Sequence, residues 1–480
     1  MLDELIAYAK LFSQKIGHTF NQETIRLTAM TGSAATEIGG KTTASVYKYM
    51  PNTYTPTTQE ICEFSDTRIN IIDEISFADY KIMEKISSNL KLLTECQEYQ
   101  YGSQAICFLG DFCQLECIGG MPLYKFCHGI YWEAVLTCMV ELKGTHRFKN
   151  CPEMQRIMTK IRQDGLESED LEILNSRTIN GMDVHMPNPI HTRFATFRNK
   201  KRCQINAFVF LQHLKQYHSE SPEENISNSA IVIKAIAQWT NNESPLSFDQ
   251  QKFLFENRSE ADISDSCHQK CDPLLCLFDG CNLMINENGD VENGIANGTT
   301  CVFKKAKLKS GSQLHPIQMH GYWINSVSVE DVEYLELQWQ DSSRFVGTFR
   351  IVPKRKKYYV SFPLFLDGHK MHEHKLPIHL TQFPVVINHA TTGHKLQGKS
   401  MDALVIAEWT ETKNWPYVTI SRVRTLDGLY FMKPIPKNIS FKPPEEYLAM
   451  MERLRHNILA TEEDVQELKS TLNMDGLFLL

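Results

Sequence analysis

Ile69-Asn-Ile-Ile-Asp73-Glu74-Ile-Ser76 is an apolar run that ends in two adjacent carboxylates. At the end of a strand such a pair suits phosphoryl transfer: one carboxylate holds Mg2+ and its neighbour polarises the attacking water. Adjacent Asp-Glu pairs are common, so a second run matters more. In Phe108-Leu-Gly-Asp111-Phe-Cys-Gln114-Leu115 another apolar approach meets Gly, Asp and Gln. A parallel strand beside the first would bring Asp111 and Gln114 to the same carboxyl edge, where ligands of α/β sheets bind. A Gln amide there can report the state of a γ-phosphate. Both runs point to hydrolysis of a nucleoside triphosphate.

That chemistry also needs a cradle for the β- and γ-phosphates, Gly-x-x-x-x-Gly-Lys-Ser/Thr at the start of a helix. Gly393-His-Lys-Leu-Gln-Gly398-Lys399-Ser400 matches the pattern letter for letter. Its surroundings argue against that use. Met401-Asp-Ala-Leu-Val-Ile-Ala407 follows and reads as a strand, and the match lies far downstream of the acid pair. Gly40-Lys41-Thr42 fails because Ala35 stands where the first Gly is required. Leu2, Leu5, Ile6, Ala9, Phe12 and Ile16 recur at helical spacing from the outset. The expectation is a chain that begins just past its phosphate cradle.

Cys267, Cys271, Cys276 and Cys281 are separated by three, four and four residues, with His268 among them. Zinc sites usually carry Cys-x-x-Cys pairs. These are missing, and residues 276–284 read as the approach to a strand, so no metal is expected there. No motif supports a serine or cysteine nucleophile.

The elements that must position the acids alternate. Strands are expected over residues 24–29, 69–72 and 106–109, with helices over 44–50 and 80–94 between them, the pattern of a parallel doubly wound sheet. After Cys151-Pro152 a helix over 153–163 leads into a second α/β region. It has strands at 194–196, 282–285 and 403–407 and a helix at 200–214. Residues 298–380 alternate apolar and polar positions and read as a small β-rich insertion. Residues 216–265 are rich in Ser, Asn and Glu and read as a long loop. The basic runs at 304–309 and 354–357 read as exposed charged faces.

At roughly 100 to 200 residues per domain, 480 residues predict two to four domains. The balance of 50 Lys and Arg against 57 Asp and Glu excludes a uniformly positive coat for indiscriminate nucleic-acid binding, while leaving room for a local basic groove. No stretch approaches the ~18 apolar residues of a membrane span, and acids precede the first apolar residues where a signal peptide would carry Lys or Arg. The 14 Cys read as reduced thiols of a nuclear protein, with a mitochondrial or cytoplasmic place as alternatives.

In order along the chain, these motifs resemble the RecD/Pif-type branch of superfamily 1 DNA helicases, which includes the helicase modules of Helitron-like transposons. The resemblance runs from Thr28 to about Met432. Thr28-Ala-Met-Thr-Gly32-Ser33-Ala34-Ala35 with Ile38-Gly39-Gly40 is similar to the family's DNA-contacting motif. Asp73-Glu74-Ile75-Ser76 resembles its Walker B motif, and the segment from Gly110 to Leu115 its coupling motif. Gly144-Thr145-His146-Arg147-Phe148 is similar to the motif whose Arg reaches the triphosphate. Asn293-Gly294-Ile295-Ala296-Asn297-Gly298-Thr299 resembles the turn into an SH3-like barrel. Ala390-Thr391-Thr392-Gly393-His394-Lys395-Leu396-Gln397-Gly398 and Tyr417-Val418-Thr419-Ile420-Ser421-Arg422-Val423 are similar to the last two motifs.

The resemblance implies an α/β fold of two RecA-like parallel-sheet domains with an SH3-like β-barrel insertion in the second. The first would cover residues 1–150 and the second 151–440, with the insertion at about 298–380 and a helical tail at 441–480. It implies ATP and Mg2+ as cofactors, with Asp73 holding Mg2+ and Glu74 orienting the water. Gln114 would sense the γ-phosphate, and Arg147 and Arg422 would reach it from the second domain. Gln397 and Gly398 would join the nucleotide site. Thr28, Gly32, Ser33, Thr392 and His394 would contact single-stranded DNA, although a Ser or Thr at a helix start is commonly a cap.

The implied function is an ATP-dependent 5′→3′ DNA helicase. It would act as a monomer on single-stranded DNA and DNA junctions, in repair or recombination and away from membranes, in a truncated copy without its phosphate loop. The rival expectation is an inactive pseudo-helicase that keeps only its single-stranded DNA groove. Two departures stand out: Glu116-Cys117 replaces the family's usual Pro-Pro, and Thr43-Ala44-Ser45 replaces its usual Ile-His before Ser.

Overall fold

The computed structural model describes residues 2–15, 17, 19–50, 53–117, 119–125, 133–142, 146–163, 165–220, 226–256, 263–265, 270–340, 344–366 and 369–461. Contacts divide the chain into two compact units, Met1–Leu166 with Thr412–Tyr417 and Ser440–Leu480, and Glu167–Glu411 with Val418–Ile439.

The first unit holds a four-stranded parallel sheet. Its strands β1 (Ile25–Ala29), β2 (Lys41–Thr42), β3 (Ile69–Asp73) and β4 (Ala105–Phe108) stand in the order β2-β1-β3-β4. Consecutive Ile71 and Ile72 are both buried, as expected of a strand covered on two faces. Helix Tyr80–Leu93 carries the chain from β3 to β4. Asp79 caps it by accepting from Ile82 N, and Met83, Ile86, Leu90 and Leu93 form its buried stripe. Each such side chain contributes about 1.5–3 kcal/mol on full burial.

This unit continues past residue 150. Helix Pro152–Arg162 belongs to it and buries Met154, Ile157, Met158 and Ile161. The helix Glu445–Ile458 also returns to it, placing Tyr447, Met450 and Leu454 in the same core as Met83, Ile86 and Leu90.

The second unit holds another parallel sheet, in which Arg193–Thr196 lies between Ala390–Thr392 and Leu404–Ile406, with Leu429–Phe431 outermost. The β-rich insertion is larger than the sequence suggests and spans residues 226–387. Its five-stranded sheet joins Thr348–Ile351, Val332–Trp339, Thr300–Leu308, Asn282–Ile285 and Val385–Ile387 by antiparallel pairing. Asn282–Ile285 therefore lies outside the parallel sheet in which it was expected, because a short apolar run does not encode which neighbours it pairs with.

The expected loop at 216–265 is also corrected. Helix Asn199–Glu220, strands Ile226–Lys234 and Ile236–Trp239, and helix Phe248–Glu256 occupy much of it. The polar composition of the window hides Ala230, Val232, Ile233 and Leu254, all buried.

The basic runs are exposed faces with carboxylate partners. Lys304 stands 3.7 Å from Asp279, Lys305 3.5 Å from Glu336, Lys354 2.7 Å from Glu287, Arg355 2.8 Å from Glu243 and Lys356 2.7 Å from Asp265. Among the described residues no helix is long and apolar enough to cross a membrane.

Gly40 sits where a Cβ would lie 2.2 Å from the Leu27 carbonyl oxygen of β1. Gly40→Ala must push β1 from the segment entering β2. It should destabilise the protein by about 1–3 kcal/mol, read as a lower calorimetric Tm.

Candidate functional site

The acids stand at the carboxyl edge of the first unit's sheet. In register, Ala29 of β1 faces Asp73 of β3, and Ile72 faces Phe108 of β4. Three backbone bonds continue the pairing beyond the strands. Met30 N donates to Asp73 O at 3.1 Å, Leu109 N to Ile72 O at 2.9 Å, and Ile75 N to Leu109 O at 2.9 Å. The edge is thus sealed on both sides of Asp73-Glu74. Gly110 lies so close that a Cβ would sit 2.9 Å from Ile75 N.

Asp73 is half-buried and accepts from Glu74 N at 2.8 Å. Burial pushes its carboxyl above the usual range, against the lowering effect of that hydrogen bond. Among the described residues no Lys, Arg or His lies within ion-pair distance of it. Glu74 holds φ 56° and ψ 43°, the left-handed region, immediately before the short turn Ile75–Phe77. A non-glycine residue there carries backbone strain, a feature that concentrates at functional sites.

On the neighbouring strand, Asp111 organises a turn. Its Oδ1 accepts from Cys113 N at 2.9 Å, its carbonyl accepts from Gln114 N at 3.0 Å, and its Oδ2 accepts from the Tyr417 hydroxyl at 2.7 Å. Phe112 packs edge-on against Tyr124 at 6.0 Å, and Tyr124 in turn against Tyr447. Burial, and then the Asp111 charge, push the Cys113 thiol up to about 12. Gln114 Oε1 and Ser76 Oγ are buried without a hydrogen-bond partner among the described residues. Native structures rarely leave such groups unsatisfied unless a ligand or water completes them.

In the second unit, strand Ala390–Thr392 ends in a short turn, Gly393–Leu396. Gly398 follows at φ 76°. Both amide atoms of Gln397 are buried without a hydrogen-bond partner among the described residues. Lys399 turns its ammonium onto the insertion, donating to Gly298 O at 2.8 Å and Thr300 Oγ1 at 3.2 Å. Arg422 is buried and donates to Val418 O at 2.8 Å, Lys399 O at 3.3 Å and Leu396 O at 3.4 Å. It ties the 396–399 turn to the end of helix Trp415–Ile420.

No family model and no curated protein matches the chain. Solved structures do. Pif1 helicase from Candida albicans superposes with a TM-score of 0.61 at 17% identity, over 94% of this chain and 92% of that one. Bacteroides Pif1 bound to single-stranded DNA gives 0.59 at 18%, over 94% and 91%. The Bacteroides protein with ADP-AlF3 and single-stranded DNA gives 0.58 at 18%, over 93% and 90%. The chain has the Pif1 helicase fold.

Within this Pif1 fold the two parallel sheets are the expected RecA-like pair, and the expected residues sort by place. Asp73, Glu74 and Gln114 gather at one sheet edge of the first unit. Thr392, His394, Gln397, Gly398 and Arg422 lie together in the second. Thr28 is corrected as a DNA contact: it is fully buried and its hydroxyl donates to Ile71 O at 2.8 Å inside the sheet. Gly32 is buried and opens helix Gly32–Ile38, which Thr31 caps by accepting from Ala34 N, leaving Ser33 half-buried beyond the cap. Arg147 lies in the turn His146–Phe148 of the first unit, not in the second, because that turn feeds directly into helix Pro152–Arg162. Gly144 and Thr145 of its motif lie outside the described residues.

Cys267 and His268 also lie outside, and no group of metal-ligating side chains occurs among the described residues. Cys276 sits in strand Leu274–Phe278, and burial pushes the Cys271 and Cys281 thiols up, so both stay protonated.

Asn414 and Tyr417, which sequence reasoning gave no role of their own, reach the 111–114 turn. Asn414 holds φ 64°, a left-handed position that Asn tolerates better than most residues.

The 393–400 match to a phosphate loop is a turn entering strand Leu404–Ile406, and its Lys is bonded elsewhere. Lys399→Ala should leave nucleotide binding unchanged by titration calorimetry, while the loss of its two bonds lowers the Tm. A loss of nucleotide affinity would restore the phosphate-loop reading.

Proposed function

We propose that the chain is an ATP-driven motor on single-stranded DNA, moving 5′→3′ and separating duplex ahead of it. The observation that carries this reading is the edge at β3 and β4. It gathers an acid with no cationic partner among the described residues, a strained Glu beside it and a Gln whose amide oxygen finds no hydrogen-bond partner among them. The Bacteroides structure holding ADP-AlF3 and single-stranded DNA supports nucleotide and DNA as the two ligands.

Asp73 fits a divalent cation, since a half-buried carboxylate short of positive partners gains from one. Mg2+ bound there would offset charge on the phosphate oxygens. Glu74 then orients the hydrolytic water, held in one direction by its left-handed backbone. Gln114 lends its amide to the γ-phosphate or the water beside it. Arg147 and Arg422 supply positive charge to the loose transition state of phosphoryl transfer, where one well-placed Arg contributes about 10³ to 10⁵ in rate. Thr392 and His394, with Gly32 and Ser33, grip the strand's phosphates.

A second reading has one specific observation in its favour. The only literal phosphate-loop pattern in the sequence is the 393–400 turn, whose Lys holds the insertion. A chain of this fold that binds single-stranded DNA without turnover would satisfy that.

ATP hydrolysis with and without single-stranded DNA, beside Glu74→Gln, separates the two. The motor reading expects turnover that DNA stimulates and Glu74→Gln lowers by about 10²-fold or more. DNA binding with no turnover in the unaltered chain sinks it in favour of the second.

A pH series adds a check. Burial raises the folded-state pKa of Asp73, so ionising it costs stability as pH rises from the ordinary carboxylate value of about 3.9 through the raised one. Mg2+ needs the ionised form. The affinity for Mg2+ with ADP should therefore fall as pH drops through that raised pKa, and Asp73→Asn should abolish this dependence.

A further inference from the structure

We infer that Asn414 and Tyr417 are positioning residues that hold the 111–114 turn, and with it Gln114, in working geometry. The inference rests on the motor reading for its consequence in catalysis, but the hold itself stands on geometry. Asn414 Nδ2 donates to Gln114 O at 2.8 Å and to Phe112 O at 3.2 Å. The Tyr417 hydroxyl donates to Asp111 Oδ2 at 2.7 Å. Two side chains three positions apart thus bind three of the four residues of the turn. They add to the bonds that Asp111 makes within it, where Oδ1 takes Cys113 N and the carbonyl takes Gln114 N.

Both clasping residues are prepared for this task. Asn414 is almost fully buried at a left-handed position, and Trp415 N donates to Thr412 O beside it. Burial, and then the Asp111 charge, raise the Tyr417 pKa, so the phenol keeps its proton and donates it.

The clasp also has a direction along the chain. Thr412–Tyr417 belongs to the first unit, while residues on either side belong to the second. Helix Trp415–Ile420 runs from Tyr417 straight into Ser421 and Arg422, and the Arg422 guanidinium closes on Val418 O of that helix. The two residues expected to read the γ-phosphate, Gln114 and Arg422, are therefore joined through one short stretch of backbone anchored at Asn414 and Tyr417.

Tyr417→Phe and Asn414→Ser test this in the full chain, with hydrogen exchange of the 110–115 amides and steady-state ATP hydrolysis measured side by side. Tyr417→Phe removes one oxygen and keeps the ring, so it folds with the least disturbance. The expected result is faster exchange at the Cys113 and Gln114 amides in both variants. It comes with a DNA-stimulated kcat lower by about tenfold and a KM for ATP within about twofold. A merely structural role would lower the Tm without that split.

Unchanged exchange overturns the inference, whatever the turnover. Faster exchange with unchanged kcat in an active protein overturns it too, since the turn would then be held without effect. If the unaltered chain does not turn over and exchange still quickens, the motor reading fails and the clasp stands.

Discussion

The structure depends on the sealing of one sheet edge. Parallel strands leave their carboxyl ends open, and here the backbone bonds from Met30 to Asp73, from Leu109 to Ile72 and from Ile75 to Leu109 carry the pairing past the strand ends on both flanks of β3. Between those bonds Glu74 takes its left-handed conformation, and Gly110 comes within contact of Ile75, leaving no room for a side chain. The acids are therefore placed by main chain, and Asp73 is left with only the Glu74 amide on its carboxylate. A carboxylate fixed in this way can remain short of partners, because the scaffold does not need it for stability.

A second layer holds the first. The 111–114 turn has its own internal bonds, but Phe112 is clasped by Tyr124 and Tyr447, and Asp111, Phe112 and Gln114 by Tyr417 and Asn414. Groups that do chemistry lose rate when misplaced by an ångström, so supports of this kind matter as much as the groups themselves. In the second unit Arg422 and Lys399 do similar work for the 396–399 turn, each closing on backbone carbonyls.

How much of this was readable from the residues depended on range. The apolar runs ending at Asp73 and leading to Asp111 declared their strands, because period and termination are local. The strand after Ser400 was legible for the same reason, and it disqualified the phosphate-loop pattern. Thr28 misled because a Thr in a central strand can turn its hydroxyl to a neighbouring carbonyl, which no pattern distinguishes from a contact at the surface. The polar window at 216–265 misled because averaged composition masks a short buried alternation. Asn414 and Tyr417 reach partners 300 to 306 positions away, and nothing in the intervening chain records that.

The first unit is assembled from three separate stretches of chain, with the helix Glu445–Ile458 in the same core as Val46 and Met83. That arrangement bears on biogenesis. A ribosome adding about 5–20 residues each second delivers the amino-terminal sheet long before the helix that completes its core. Until then the apolar surface awaiting Tyr447, Met450 and Leu454 stays open to solvent. The second unit, nearly continuous in sequence, can close on itself earlier. The nascent chain would thus carry an unfinished first unit while the second is already complete, the circumstance in which a protein leans on chaperones.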